Sequence, residues 1–233
     1  MTESIPFFQG IINLLAEFKD LLLIATWQTL YITFISTFLA YLLGVPLGIW
    51  VVVTAPNSIA PNRTVNEILG GIINIGRSIP FIILLVAVLP FTRWIVGTTI
   101  GPTATIVPLT IAATPFVARI IEQSLVEVDS GLIEMGEAMG ATSWQIIFKV
   151  LLPESLPSII RGVSITIINL IGYSAMAGAV GGGGLGDLAI RYGYYRYQSD
   201  VMIVTIILLV IIVELIQLIG NYSAKRIDKR NIR

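Results

Sequence analysis

Residues 21–53 read LLLIATWQTLYITFISTFLAYLLGVPLGIWVVV and contain no charged side chain. The charge-free stretch continues to residue 62. A charge in the hydrocarbon core of a bilayer costs roughly 2.5–3.5 kcal/mol on insertion scales, and about 20 apolar residues are enough for a helix to cross it. This stretch therefore predicts a first membrane-spanning helix near 21–53 and makes the chain an integral membrane protein.

Four further apolar stretches follow, and Arg77 and Glu214 lie inside two of them. We place the corresponding spans at about 67–92, 94–118, 162–180 and 201–222. The composition agrees with this placement, since charged residues make up 12% of the chain against roughly 25% in a typical soluble domain. We therefore interpret residues 1–233 as a single transmembrane domain of the all-α class with five helices.

The distribution of Lys and Arg predicts the orientation, because these residues concentrate on the cytoplasmic side of membrane proteins. Five spans put the termini on opposite sides. With the C-terminus inside, nine basic residues are cytoplasmic: Arg63, Arg119, Lys149, Arg161, Lys225, Arg226, Lys229, Arg230 and Arg233. Four are external: Lys19, Arg93, Arg191 and Arg196. We predict a multi-pass protein of the cytoplasmic (inner) membrane with its N-terminus outside and its C-terminus in the cytoplasm.

Several kinds of chemistry are absent from the sequence. The chain has no Cys and no His, which excludes disulfides, thiol nucleophiles and the usual zinc sites. The net charge is zero, so nothing indicates nucleic acid binding. No G-x-x-x-x-G-K-[ST] motif is present, and residues 181–186 fit G-x-G-x-x-G only formally, because a membrane span precedes them. We expect no catalytic residue, metal or cofactor in this chain.

Glycines stand at two kinds of position. Gly181 to Gly184 are expected to end the fourth span sharply, and we favour this structural role over a hinge in an outer gate. The pairs Gly44/Gly48 and Gly178/Gly182 have small-xxx-small spacing. Such spacing fits close helix packing within one subunit or a seam with a second copy, and spacing alone does not choose.

The longest polar segment, residues 119–161, lies between the third and fourth spans. Residues 132–139 are good helix formers, and Gly140 ends that run. Thr142 stands three residues before Gln145, the spacing of a capping box, which predicts a second short helix from Ser143 to Leu152, stopped by Pro153. Because small residues line the bend, another surface could approach it closely; transmission of force and simple connection of helices both remain open.

This loop resembles the cytoplasmic signature of ABC-importer permeases, which is E-A-A, three residues, G, nine residues and I-x-L-P. Here Glu134-Met135-Gly136 is followed after three residues by Gly140, and after nine more by Val150-Leu151-Leu152-Pro153. Residues 76–85 (GRSIPFIILL) and 172–186 (GYSAMAGAVGGGGLG) are similar to the methionine importer permeases. The resemblance covers most of the chain.

The resemblance implies a type I ABC importer permease that works as a homodimer. It implies two ABC ATPase subunits, which hold ATP and Mg, and an extracytoplasmic methionine-binding protein or lipoprotein. The coupling helix that contacts the ATPase would contain Glu134, Met135, Gly136, Ala138, Gly140, Ala141 and Pro153. Pathway or gate residues would be Arg77, Ser78, Pro80, Tyr173, Ser174 and Met176.

Two alternatives remain open. The first is a permease of an ABC importer for another amino acid or small solute, because the sequence carries no readable substrate code. The second is a secondary transporter driven by an ion gradient, in which Glu214 is the candidate intramembrane acid. Pairing of Glu214 with Arg77 is a further hypothesis.

Overall fold

A computed structural model describes residues 7–227, with side chains from Phe18 onward. The N-terminal residues and the last basic residues of the tail, Lys229, Arg230 and Arg233, on which part of the orientation argument rests, lie outside the described residues. The described chain contains ten α-helices and no strand. They are α1 (Phe7–Val53), α2 (Arg63–Ser78), α3 (Phe81–Ala87), α4 (Leu89–Val96), α5 (Pro102–Val126), α6 (Ser130–Ala138), α7 (Ser143–Ile146), α8 (Leu152–Gly178), α9 (Gly184–Leu188) and α10 (Ser199–Ile227).

Four stretches of helix are long and apolar enough to cross a membrane: Phe18–Val53, Pro102–Val126, Ser143–Gly178 and Ser199–Ile227. A fifth span results if α2 and α3 together form one crossing. The fold class expected from the sequence, an all-α membrane protein, is confirmed.

The second span differs from the single helix expected at 67–92. Helices α2 and α3 meet at a bend of 100°. Ile79, the residue before Pro80, has extended backbone angles of φ −82° and ψ 122°. Proline has no N–H to continue the helix and disfavours helical angles in the residue before it, which explains the break. The third span starts at Pro102 instead of 94, because Gly97 and Gly101 turn the chain with φ of +84° and +100°.

Pro153 does not stop the helix that begins at Ser143, and that prediction is wrong. A π-helical turn, Ile147–Leu151, connects α7 to α8, and the helix continues to Gly178 with Pro157 inside it. A proline ring normally collides with the carbonyl four residues earlier. Here that carbonyl belongs to Lys149 in the wider π turn, which accommodates the ring.

The chain divides into two compact units. The first comprises Met1–Ser36, Phe81–Leu109 and Ile168–Leu215, and the second Thr37–Pro80, Thr110–Ile167 and Ile216–Arg233. The core of the first unit is formed by Phe18, Leu22, Ala25, Leu185, Leu188, Val201 and Val204. A core cluster of the second unit contains Val51, Ile73 and Ala118, flanked by Leu47 and Leu69.

The paired glycines pack within the subunit. In the second unit, a Cβ on Gly44 would lie 2.8 Å from the side chain of Val117, and one on Gly48 would lie 2.6 Å from the carbonyl oxygen of Ala118. Both distances are too short for carbon, so only glycine lets α1 lie this close to α5. Of the two interpretations of the spacing, close packing within one chain accounts for this pair.

Candidate functional site

The loop between α5 and α8 is held in shape by local hydrogen bonds. The Asp129 carboxylate caps α6 by accepting from the Gly131 N–H at 2.8 Å. At the other end, Gly140 has φ +77°. Its N–H donates to the Glu137 carbonyl at 2.9 Å, and the Ala141 N–H donates to the Gly136 carbonyl at 3.0 Å. This pair of bonds is a Schellman motif, which requires a left-handed residue at the position of Gly140.

The expected capping box is present at the start of α7. The Thr142 hydroxyl accepts from the Gln145 N–H at 3.4 Å, and the Gln145 side-chain oxygen accepts from the Thr142 N–H at 2.9 Å. Two orphan N–H groups are thereby satisfied reciprocally. The predicted sequence of helix, glycine turn and second helix is confirmed, and the loop is a folded element.

The residues expected to couple to a partner divide by exposure. Glu134, Met135, Ala138, Gly140 and Pro153 are exposed, and Ala141 is half-buried. Gly136 is buried, and a Cβ there would lie 3.5 Å from the Ile146 side chain, an ordinary contact distance. The turn of the loop therefore faces outward, while Gly136 supports it from behind.

Sequence reasoning missed the apolar side chains that this loop exposes. Met139 is 81% exposed, Trp144 69% and Phe148 57%. The Trp144 and Phe148 rings stack at 5.6 Å. The signal was available, because aromatic residues four apart at the start of a capped helix share a face. Large exposed apolar side chains beside a polar turn are typical of a protein contact surface.

A cavity of about 300 Å³ lies beside α6 in the second unit. The α1–α2 connection and the ends of α1, α5 and α6 surround it. Glu134 and Glu137 line it and give the loop an acidic edge. The other lining residues are Val52, Ala55, Asn57, Ser58, Ile59, Leu125, Val126, Val128, Ser130, Ile133 and Leu151.

The expected pathway residues fall in both units. In the second unit, Arg77, Ser78 and Pro80 are exposed around the α2–α3 break, and the Ser78 hydroxyl donates to the Asn74 carbonyl at 2.8 Å. Arg77 and Glu214 are each exposed and belong to different units, so their pairing stays a hypothesis.

In the first unit, three expected pathway residues lie close together on α8. Tyr173 is half-buried and stacks on Phe81, with ring centroids 4.5 Å apart and an angle of 3° between the planes. Ser174 is buried, and its hydroxyl donates to the Ile171 carbonyl at 2.8 Å. Met176 is 52% exposed. Met176 and one side of Tyr173 are therefore accessible, whereas the Ser174 hydroxyl is occupied within its own helix.

Four hydrogen bonds within the first unit hold the glycine turn after α8. The Gly101 N–H donates to the Gly181 carbonyl at 2.9 Å, and the Thr105 hydroxyl donates to the Gly182 carbonyl at 3.0 Å. Two side chains of α1 complete the set. Gln28 accepts from the Gly184 N–H at 2.9 Å, and Thr29 accepts from the Leu185 N–H at 2.8 Å.

Glycine is also required sterically in this turn. Gly183 and Gly184 have φ of +79° and +77°. A Cβ on Gly182 would lie 2.7 Å from the Ala177 carbonyl oxygen, and one on Gly178 would lie 2.9 Å from the Asp187 Cα. These contacts favour the structural role for the glycine run and explain the second small-xxx-small pair as packing inside the first unit.

Together, the membrane-crossing helices and the folded polar loop define a multi-pass α-helical membrane protein. Among the described residues, no group of three His, Cys, Asp or Glu side chains could hold a metal ion. The candidate functional features of this chain are its exposed helix faces, the structured loop between α5 and α8, and the hydrogen-bonded glycine turn.

The chain belongs to the family of binding-protein-dependent transport system inner membrane components, whose profile matches residues 44–233. It is 53% identical over 223 residues to a probable D-methionine transport system permease protein, MetI, of Vibrio cholerae; the match covers 96% of this chain and 99% of that one. It is 52% identical over 158 residues to the D-methionine transport system permease protein MetI of Escherichia coli K12, covering 68% and 73% of the two chains.

Solved structures agree with these relatives. A chain from an inward-facing conformation of the MetNI methionine ABC transporter superposes with a TM-score of 0.90 at 49% identity, covering 91% of this chain and 99% of that one. A chain from an amino acid ABC transporter with histidines gives a TM-score of 0.78 at 17% identity, covering 96% and 99%. The second likeness shows the fold alone. The chain is thus a multi-pass transport component of the inner membrane.

Proposed function

We propose that this chain is the permease subunit of an ATP-driven ABC importer that moves methionine, in its L or D form, across the cytoplasmic membrane. The observation that carries the proposal is the 53% identity to the Vibrio cholerae D-methionine permease over 99% of that protein. Likeness at that level over the whole length makes a shared substrate the simplest expectation. The 49% identity to a chain of a methionine ABC transporter supports the same substrate class.

The working unit in this proposal is a homodimer with two ATPase subunits, which hold ATP and Mg, and an extracytoplasmic methionine-binding protein. Residues 130–148 form the contact with the ATPase. The exposed side chains of Met135, Met139, Trp144 and Phe148 would be buried there, while the Schellman motif and capping box keep the loop rigid enough to transmit movement. The permease then alternates between inward-open and outward-open states without any covalent step.

In the proposed orientation, the loop and the C-terminus are cytoplasmic and the N-terminus is external. The bias of nine basic residues against four supports it. The exposed aromatic and basic residues after the glycine turn would then lie at the outer surface. There the Arg196 guanidinium lies over the Tyr192 ring, 4.4 Å from its centroid.

Two alternatives are kept because they predict different results. A permease for another amino acid or small solute would use the same fold. A secondary transporter would use an ion gradient, with Glu214 as its candidate acid, but it would leave the exposed apolar residues of the loop without a role.

Uptake of labelled methionine into proteoliposomes tests the proposal. The vesicles contain this chain with its co-purified ATPase and binding protein, and they are loaded with ATP or ADP. We expect uptake with ATP only, and its loss in a Trp144→Glu variant, because a charge on the proposed contact face prevents docking. Binding-protein-stimulated ATP hydrolysis without methionine uptake would keep the ABC importer and replace the substrate. Uptake that ignores ATP and follows the proton gradient would favour the secondary transporter.

A further inference from the structure

Helix α8 exposes one narrow face along its apolar part. Between Ile168 and Gly178, within the first unit, the exposed positions are Asn169, Gly172 and Met176, and every other residue there is buried or half-buried. The spacings of three and four residues place these positions on one side of a helix. We call this set the α8 stripe.

Asn169 is the polar member of the α8 stripe. Its amide makes no hydrogen bond within the described residues 18–227. The surrounding helix is apolar enough to cross a membrane. An amide without partners is costly in hydrocarbon, so polar side chains in such helices face a cavity or a partner in preference to lipid. The stripe therefore faces water, a ligand or another protein surface.

Gly172 leaves space beside that amide. A Cβ built on it would meet no atom within 4 Å. The residues four positions away on either side are Ile168 and Met176, both large, so the small-xxx-small pattern of a close helix seam is absent around it. The open surface beside this unpartnered amide leaves room for a small molecule.

The rest of the surface is suited to binding an apolar, sulfur-containing side chain. Met176, one turn beyond Gly172, is 52% exposed and offers a flexible thioether. Tyr173, next to Gly172, stacks on Phe81 and provides an aromatic wall within the same unit. An amide can accept from an ammonium and donate to a carboxylate, while thioether and aromatic groups make favourable sulfur contacts.

We infer that Asn169 binds the α-amino acid group of the transported molecule and that Gly172 keeps the space it occupies. This inference rests on the proposed methionine import and adds a substrate contact to it. The α8 stripe is then a wall of the pathway, and Asn169 acts by hydrogen bonding to a zwitterion as it passes.

Because the chain has no cysteine, an Asn169→Cys variant carries a unique thiol that can report what covers the stripe. The variant is reconstituted with its ATPase and binding protein, and a small, charged methanethiosulfonate reagent is added. We expect modification of the thiol that slows at least about tenfold when methionine is present at saturation, as a bound ligand would cause. Spontaneous disulfide formation between two copies would assign the stripe to the dimer seam, and a thiol that never reacts would assign it to lipid; both overturn the inference.

Transport by amide variants provides the second measurement. Asn169→Leu removes the amide at similar volume, Asn169→Gln retains it, and Asn221→Leu is the matched control at an exposed amide on α10, where Gln217 donates to Asn221 at 3.1 Å. We expect Asn169→Leu to lower methionine uptake about tenfold or more, as the loss of a hydrogen bond to a charged group would. Binding-protein-stimulated ATP hydrolysis and dimer size should stay unchanged, Asn169→Gln should retain partial uptake, and the control should remain within about twofold of wild type.

Equal uptake by Asn169→Leu and the control would refute the contact. The wild-type measurement separates this inference from the proposed function. If wild type imports no methionine, the proposed function fails; if wild type imports methionine but the ligand does not protect position 169, only the inference fails.

Discussion

Gly136 and Gly140 stand four residues apart in the loop between α5 and α8, and the structure requires glycine at only one of them. Gly140 closes α6 with φ +77°, where a side chain would meet no atom but the backbone conformation itself excludes most L-residues. Gly136 lies inside α6, with room for a Cβ against Ile146. The sequence has glycine at both positions, but only the backbone angles distinguish their roles.

The two matched substitutions should therefore behave differently. Gly140→Ala forces a Cβ into the left-handed region, at a cost of about 1–2 kcal/mol, and should loosen the turn that supports the proposed ATPase contact. Gly136→Ala should be neutral or stabilising, because alanine favours a helix interior by up to about 1 kcal/mol. Methionine uptake per ATP hydrolysed by the reconstituted complex is the measurement. Equal uptake ratios for the two variants would show that the turn does not transmit movement.

At the scale of elements, local signals predicted local structure. Gly140 and the Thr142/Gln145 pair lie within a few residues of the groups they bond, so their roles were readable from spacing. The π turn before Pro153 was not, because a proline in the sequence does not show whether the helix stops there or continues through a wider turn. The 100° bend at Pro80 was partly predictable. A proline indicates a break in the helix, but the local sequence does not give the angle of the bend.

The glycine turn shows a dependence on distant elements that no local pattern encodes. Its N–H groups at Gly184 and Leu185 are satisfied by Gln28 and Thr29, 156 residues away in sequence. Leu185 is fully buried, so its N–H has no access to water. The conformation of the turn is therefore set jointly by glycine backbone freedom and by acceptors on α1.

Thr29 and Thr110 offer a matched test of this arrangement. Both hydroxyls are buried, but the Thr110 hydroxyl has no hydrogen-bond partner among the described residues, whereas the Thr29 hydroxyl accepts from the Leu185 N–H. Thr29→Val leaves a buried N–H unpaired and should cost about 1–3 kcal/mol, while Thr110→Val removes an unused hydroxyl and should be near neutral or stabilising. Thermal stability of the purified complex in detergent is the measurement. A similar loss in both variants would indicate that the Thr29 bond contributes nothing specific.

For the whole molecule, the sequence predicted a membrane protein securely. It did not predict which faces of the helices are exposed. Apolar content and charge-free length can be read directly from the sequence, so the all-α membrane class was predicted correctly. Asn169 was missed because its importance depends on exposure, and exposure depends on how neighbouring helices cover α8. Ser174, an expected pathway residue, is buried for the same reason. The sequence pattern identifies a polar residue in a span, but tertiary packing determines which groups that residue contacts.

The predicted orientation can be tested with single cysteines, since the natural chain has none to remove. Ala60 and Tyr195 are both exposed, the first in the α1–α2 connection and the second after the glycine turn. The excess of Lys and Arg predicts that position 60 is cytoplasmic and position 195 external. A membrane-impermeant maleimide added to intact spheroplasts should label an Ala60→Cys variant only after permeabilisation and a Tyr195→Cys variant at once.

The reverse labelling pattern would indicate the opposite orientation in the membrane. The α5–α8 loop would then lie outside, where an ATPase could not reach it. Labelling of both positions in sealed cells would instead contradict the number of crossings between them, since an odd number of spans must separate residues on opposite sides. Neither site lies in the proposed ATPase contact or in the α8 stripe, so the outcome depends on topology alone. The orientation determined this way shows from which end a substrate would enter the proposed pathway beside Asn169.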